Sequence, residues 1–204
     1  MTILVAFKES KEILNLADLF KKGKLETMNR DITVNRESGR DFISLGTRTG
    51  EGAVWLSVKL FRNGRIKLVA RGKDVLQGSF MGIYFHGKDT LNFDNVYLRP
   101  FNFRATDPVR KIHAIQYSSA PTFSWEYLRK EKNGIYEKGI EDAPKANDWV
   151  TLEIVIDNEV ISAYVNDSKT PSLEVKKLNR NTTGKVGISG FNADFQSIEI
   201  TYAD

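Results

Sequence analysis

The sequence predicts an all-β chain in which two antiparallel sheets pack as a sandwich of the jelly-roll kind. Roughly a dozen short runs of β-branched, aromatic and alternating residues are set apart by turn signals at intervals of about eight to twelve residues. The sustained helical spacing that βαβ units would need is missing. Hydrophobic residues make up 41% of the 204, enough for a two-layer core, and no repeat, low-complexity segment or linker divides the chain. The expectation is therefore one domain over residues 1–204, with residues 1–30 as a peripheral entry segment.

Taken in order, residues 3–7 form a short apolar run. Ile13, Leu16, Ala17 and Phe20 then recur at helical spacing for about two turns, which fits a short helix and an irregular entry strand equally. Lys21-Lys22-Gly23-Lys24 ends that pattern. Residues 32–35, 42–45 and 53–59 have strand length, with Glu37-Ser38-Gly39 and Thr49-Gly50-Glu51-Gly52 between them. Asn63-Gly64 tolerates the positive φ angles of a two-residue hairpin, so it predicts a turn between Lys59-Leu60-Phe61 and Ile66-Lys67-Leu68-Val69. In residues 79–86, Ile83 and Phe85 share one face and Tyr84 and His86 the other. Val150, Leu152, Ile154 and Ile156 alternate with Thr151, Glu153, Val155 and Asp157, and Asp157-Asn158-Glu159 then turns the chain into residues 160–166, a hairpin. Val186 and Ile188, then Ile198 and Ile200, mark two closing strands joined through residues 190–194.

Composition narrows the chemistry. With no cysteine there are no disulfides, thiolate nucleophiles or cysteine-held metals, and His86 and His113 are the only nitrogen ligands, so a zinc site is not expected. A net charge of +4 is spread among 26 acidic residues. Arg99, Arg104, Arg110 and Lys111 lie near aromatics without forming a dense basic stripe, so no nucleic-acid partner is expected. No run approaches the ~18 apolar residues of a membrane span. MTILVAFKES lacks the basic start and small-residue cleavage site of a signal peptide. The chain is expected to be soluble, in the cytoplasm as it stands or secreted if a signal was removed. Phosphate-loop, zincin and nucleophile-elbow motifs are absent.

Functional groups concentrate in residues 95–129, NVYLRPFNFRATDPVRKIHAIQYSSAPTFSWEYLR. If residues 96–99 are a strand, Val96 and Leu98 enter a core while Tyr97 and Arg99 present a phenol and a guanidinium on the opposite face. That face is the candidate site, and Tyr84 decorates the corresponding face of the preceding strand.

Gly82-Ile83-Tyr84-Phe85-His86-Gly87, Val96-Tyr97-Leu98-Arg99-Pro100-Phe101-Asn102-Phe103, His113-Ala114-Ile115-Gln116-Tyr117, Trp125-Glu126-Tyr127-Leu128-Arg129 and the Asp148-Trp149 hairpin together resemble the concanavalin A-like lectin/glucanase superfamily. The likeness is nearest to laminin-G-like bacterial proteins grouped near the 3-keto-disaccharide hydrolase domain, and it runs from about Asn63 to Ile200. It implies a jelly roll with a glycan, or another sugar-containing small molecule, on or beside the concave sheet. It requires no cofactor and allows a structural calcium ion, although no oxygen-rich spacing singles out ligands. The Glu-x-Asp-x-x-Glu strand of the retaining glucanases is absent, so the resemblance carries fold more than chemistry.

Three functions follow as expectations. A glycan is bound by Tyr84, Tyr97, Arg99, Asn102, Gln116, Trp125 and Arg129, aromatic rings stacking on sugar and polar groups meeting hydroxyls. Alternatively, a plain or 3-keto glycoside is cleaved by Glu126 or Asp94 acting with His86 or His113, Glu137 being a further acid near the aromatics. The third is a noncatalytic domain that binds protein through a sheet face or edge. For Arg99 two roles stay open: contact with the sugar, or a buried and fully paired guanidinium that organises the loops.

Overall fold

Alternation of side chains across a strand lets each sheet bury one face, and the two buried faces meet here. The computed structural model describes residues 10–48 and 50–203; the apolar run at residues 3–7 lies outside them. The first half comprises β1 (Ser10–Asn15), α1 (Leu16–Lys21), β2 (Leu25–Met28), β3 (Ile32–Glu37), β4 (Arg40–Leu45), β5 (Ala53–Leu56), β6 (Asn63–Arg71), β7 (Phe80–Gly87) and β8 (Phe93–Leu98). After a 3-10 turn at Pro100–Asn102 come α2 (Pro108–Lys111), β9 (Ile115–Ala120), α3 (Trp125–Glu131), β10 (Glu137–Lys138), β11 (Trp149–Asp157), β12 (Val160–Val165), β13 (Leu173–Lys176), β14 (Lys185–Phe191) and β15 (Ala193–Ala203).

One sheet runs β13-β12-β11-β6-β15-β4-β3, with β1 also paired to β15; the other runs β10-β9-β8-β7-β14-β5-β2. Every pairing is antiparallel. Ile66, Leu68, Val150, Leu152, Ile154, Phe195, Ile198 and Ile200 from the first sheet pack against Met81, Ile83, Phe85, Val96, Leu98, Ile115, Val186 and Ile188 from the second. This is the predicted two-sheet antiparallel sandwich.

The start of the described chain takes up both of its predicted alternatives. Residues 10–15 are a strand on β15, and the Asn15 side chain then accepts from the Asp18 N–H (3.1 Å) to cap α1, whose Leu16 and Ala17 are fully buried in the core. The Asp157–Val160 hairpin forms as the alternation requires, with Asn158 at φ 53° in its two-residue turn. Residues 190–194 join strands that belong to different sheets, with Asn192 at φ 50° at the crossing.

Asn63-Gly64 is corrected: it opens β6 and is no hairpin turn, because β5 and β6 lie in different sheets. Gly64 is needed there for another reason. At its φ of 125°, a Cβ would stand 2.0 Å from the Thr201 carbonyl oxygen of β15. Gly39, at φ 78°, faces open space. Gly64→Ala should therefore lower unfolding stability in urea by about 3 kcal/mol or more, and Gly39→Ala by only the ~1–2 kcal/mol of a left-handed backbone.

Candidate functional site

The side chains of the seven-stranded sheet that do not enter the core project from its outer face. Register places Tyr84 beside Asn95 and Asn95 beside Ser118, and it sets Gly82 between Tyr97 and Ser189. A Cβ on Gly82 would stand 2.5 Å from Tyr97 Cβ, so glycine permits the close approach of β8 under that ring. Ala53, Trp55, Tyr84 and Phe93 pack together on this face as a second, smaller apolar cluster.

Above this floor is a cleft of about 420 Å³. Asn95, Ser118, Ser189, Tyr84 and Tyr97 line it from the sheet. One wall is the start of α3 and the residues before it, Phe123, Ser124, Trp125 and Glu126; Ser124 caps the helix by accepting from the Tyr127 N–H (3.3 Å). Another is Phe80, Phe191, Arg30 and Glu51, and Thr90 and Leu91 add a third side. Trp125 is 44% exposed, so an indole face is open to a ligand. Asn95 Oδ1 is buried without a hydrogen-bond partner.

Beside the cleft lies a buried charge cluster. Arg99 Nη2 donates to the Tyr97 hydroxyl (2.9 Å) and to Gln116 Oε1, and Nη1 donates to the His113 carbonyl (3.2 Å). Tyr97 donates its own proton to Gln116 Oε1 (2.7 Å). Glu137 accepts from Arg129 Nε (3.0 Å) and Nη2 (2.7 Å), with Arg99 Nη1 at 3.5 Å and His113 Nδ1 at 2.9 Å. Burial alone would raise the Glu137 pKa. The hydrogen bonds from Arg129 and the charges of Arg129, His113 and Arg99 outweigh it and hold the carboxyl below its ordinary range. His113 is pushed down, first by burial and then by Arg129 and Arg99, against the pull of Glu137. Burial pushes the Tyr97 phenol up to about 12.

Of the predicted ligand residues, Tyr84, Tyr97 and Trp125 line the cleft, and so does Glu126 of the predicted catalytic ones. Arg99, Gln116 and Arg129 form the cluster behind Tyr97 and Trp125, with the Arg129 guanidinium 5.1 Å from the Trp125 ring. Arg99 thus takes the loop-organising arrangement. Asn102 is buried and holds the chain locally, donating to the His113 carbonyl (2.9 Å) and accepting from Arg110 (3.2 Å). Trp125 and Arg129 both stand on α3.

His86 requires a correction. It does not share the face of Tyr84, because β7 carries one extra residue where Lys185 pairs with Gly87 and Gly187 with Tyr84, and His86 sits there at φ 50°. The bulge turns its ring inward onto Phe61, 6.0 Å away. Its Nε2 donates to the Arg62 carbonyl (2.8 Å), and its Nδ1 lies 3.4 Å from Asp94 Oδ2. Asp94 is fully buried and accepts from the Tyr117 hydroxyl (2.7 Å), which in turn accepts from the Leu178 N–H (3.0 Å). Asp94 and His86 are thus brought together, but between the sheets and away from Glu126.

The sequence reading missed Arg30, Glu51, Phe80, Asn95, Ser118, Ser189 and Phe191 as lining residues. Asn95 and Ser118 carried a usable signal, since each lies two residues along a strand from a named residue, Tyr97 or Gln116. Arg30 and Glu51 arrive from loops distant in sequence and carried none.

No protein-family model matches this sequence, and no curated protein matches it either. Solved structures do. A protein of unknown function with a galectin-like fold from Bacillus subtilis superposes with a TM-score of 0.61 over 97% of this chain and 98% of its own, at 11% identity. The lumenal domain of VIP36 bound to calcium and Man3GlcNAc gives a TM-score of 0.57 at 13% identity, over 89% of this chain and 84% of its own. The carbohydrate-binding module CBM66 from Bacillus subtilis gives 0.53 at 12%, over 88% and 92%. The shared feature is the galectin-like sandwich fold.

Glu137 sets the acid behaviour of the cluster. Glu137 and His113 both bind fewer protons folded than unfolded, so acid removes stability, from about pH 6.5 downward through His113 and from about pH 4.5 downward through Glu137. Thermal melts between pH 7 and pH 3.5 should show both losses. Glu137→Gln should cost about 3 kcal/mol at neutral pH by stranding two guanidinium groups, and should flatten the lower step.

Proposed function

We propose that the protein binds a glycan in the cleft on the outer face of the seven-stranded sheet. One observation carries the reading: an open cleft of about 420 Å³ joins exposed aromatic faces to a polar floor with an unmatched acceptor, Asn95 Oδ1. Sugar rings present apolar C–H faces and outward hydroxyls, so they suit a site that stacks on one side and hydrogen-bonds on the other. Trp125 supplies the stacking face, steadied by Arg129, while Asn95, Ser118 and Ser189 meet hydroxyls from the floor. The fold neighbours support this, since VIP36 is recorded with Man3GlcNAc and domain 4 of AbnA, an arabinanase from Geobacillus stearothermophilus, with arabinotriose.

A second reading, cleavage of a glycoside, has one observation in its favour: Glu51 and Glu126 line the same cleft, and hydrolysis generally uses two carboxylates. Both lie exposed on its rim, and binding needs nothing from them. As for calcium, no group of three His, Cys, Asp or Glu among the described residues could hold an ion, and the reading does not call on one.

On a glycan array followed by calorimetry, Trp125→Ala should weaken the best ligand by about tenfold or more, from the lost ring stacking. The melting temperature should stay within about 2 °C, because the indole lies at the surface and belongs to neither apolar core cluster. EDTA should leave the affinity unchanged. Full affinity in Trp125→Ala, or no glycan bound at all, would overturn the proposal; sugar release abolished by Glu51→Gln and Glu126→Gln would establish the second reading.

A further inference from the structure

Arg30 is 7% exposed, yet it forms no ion pair with any described carboxylate. Its side chain is held by three main-chain carbonyls: Nε donates to Gly190 (2.7 Å), Nη1 to Asn29 (2.6 Å) and Nη2 to Gly50 (3.1 Å). A guanidinium has five N–H groups, so one on Nη1 and one on Nη2 remain. The group lies 5.7 Å from the Phe191 ring, and among the described residues it is the only lysine or arginine lining the cleft. Burying a cation among neutral acceptors is costly unless a counter-charge arrives. The nearest protein acid on this wall, Glu51, is exposed on the rim and acts only through space.

Resting on the glycan reading of the cleft, we infer that the ligand is an acidic sugar whose carboxylate meets Arg30 at the Phe191 end. A planar carboxylate matches the two N–H groups left on the guanidinium fork. Glu51 and Glu126 do not forbid it. Their exposed charges are screened by water and salt, whereas Arg30 acts from a buried position where the effective dielectric is lower. The outcome is a site selective for uronic or sialic acids over neutral sugars.

The test uses the full chain and leaves the protein unaltered in its first arm. Oligogalacturonate, oligomannuronate and sialyllactose are titrated calorimetrically against their methyl esters, which keep the ring and remove the charge. At least one acid should bind about tenfold or more tighter than its ester, the difference shrinking between 50 and 500 mM salt. Arg30→Lys, which keeps the charge but loses the fork, should narrow the acid–ester ratio.

Esters or neutral oligosaccharides binding as tightly as the acids would overturn the inference and leave the glycan site standing. A sulfated oligosaccharide that outcompetes every carboxylated one would overturn the assignment to a carboxylate. Failure of every glycan would remove the site reading and this inference with it.

Discussion

One buried carboxylate holds the cleft side of this sandwich together. Glu137 is 3% exposed and meets groups from three directions: Arg129 from α3, Arg99 from the end of β8, and His113 from the turn ahead of β9. Its own strand, β10, has only two residues and pairs with the edge of β9, so backbone hydrogen bonds alone would hold it weakly. Two guanidinium groups without a central acid could not share so small a volume, and the acid without them would resist burial. The arrangement fixes α3 against the sheet and, through Arg129, fixes the indole of Trp125 at the cleft wall.

Polar density and the cleft separate in this protein. The chain buries one charged cluster beside the cleft and a second polar chain, His86–Asp94–Tyr117, between the sheets. In that second group the Arg62 carbonyl can only accept, so His86 Nε2 donates to it, while His86 Nδ1 and Asp94 Oδ2 stand 3.4 Å apart. The group pins the segments of Arg62 and Leu178.

The fold was legible because period-two alternation is a property of each strand on its own, and it placed Ile83, Phe85, Val96 and Leu98 in the core and Tyr84 and Tyr97 on the opposite face. Local signals failed where sheet geometry overrode them. A single extra residue at the β7 bulge reversed His86, and Asn63-Gly64 carried a true demand for glycine that came from the neighbouring strand rather than from a turn. Half of the cleft was illegible for a different reason. Arg30 reaches it through a carbonyl of Gly190, 160 positions away in sequence, and no spacing rule connects them.

The same hydrogen bonds that make the cleft rigid decide which of its groups remain for a ligand. The Tyr97 hydroxyl donates to Gln116 and accepts from Arg99, so that tyrosine offers only its ring. The Tyr84 hydroxyl reaches the Gly52 carbonyl at 3.3 Å and lies within a 4% exposed side chain. Two of the most polar-looking aromatics are thereby committed to the protein. The uncommitted groups are smaller or were hidden in the sequence: Asn95 Oδ1 on the floor, the open face of Trp125, and the remaining N–H groups of Arg30. In the glycan reading, recognition by this sheet would be set by what internal pairing leaves over, and a preformed site of this kind loses little freedom when a ligand enters.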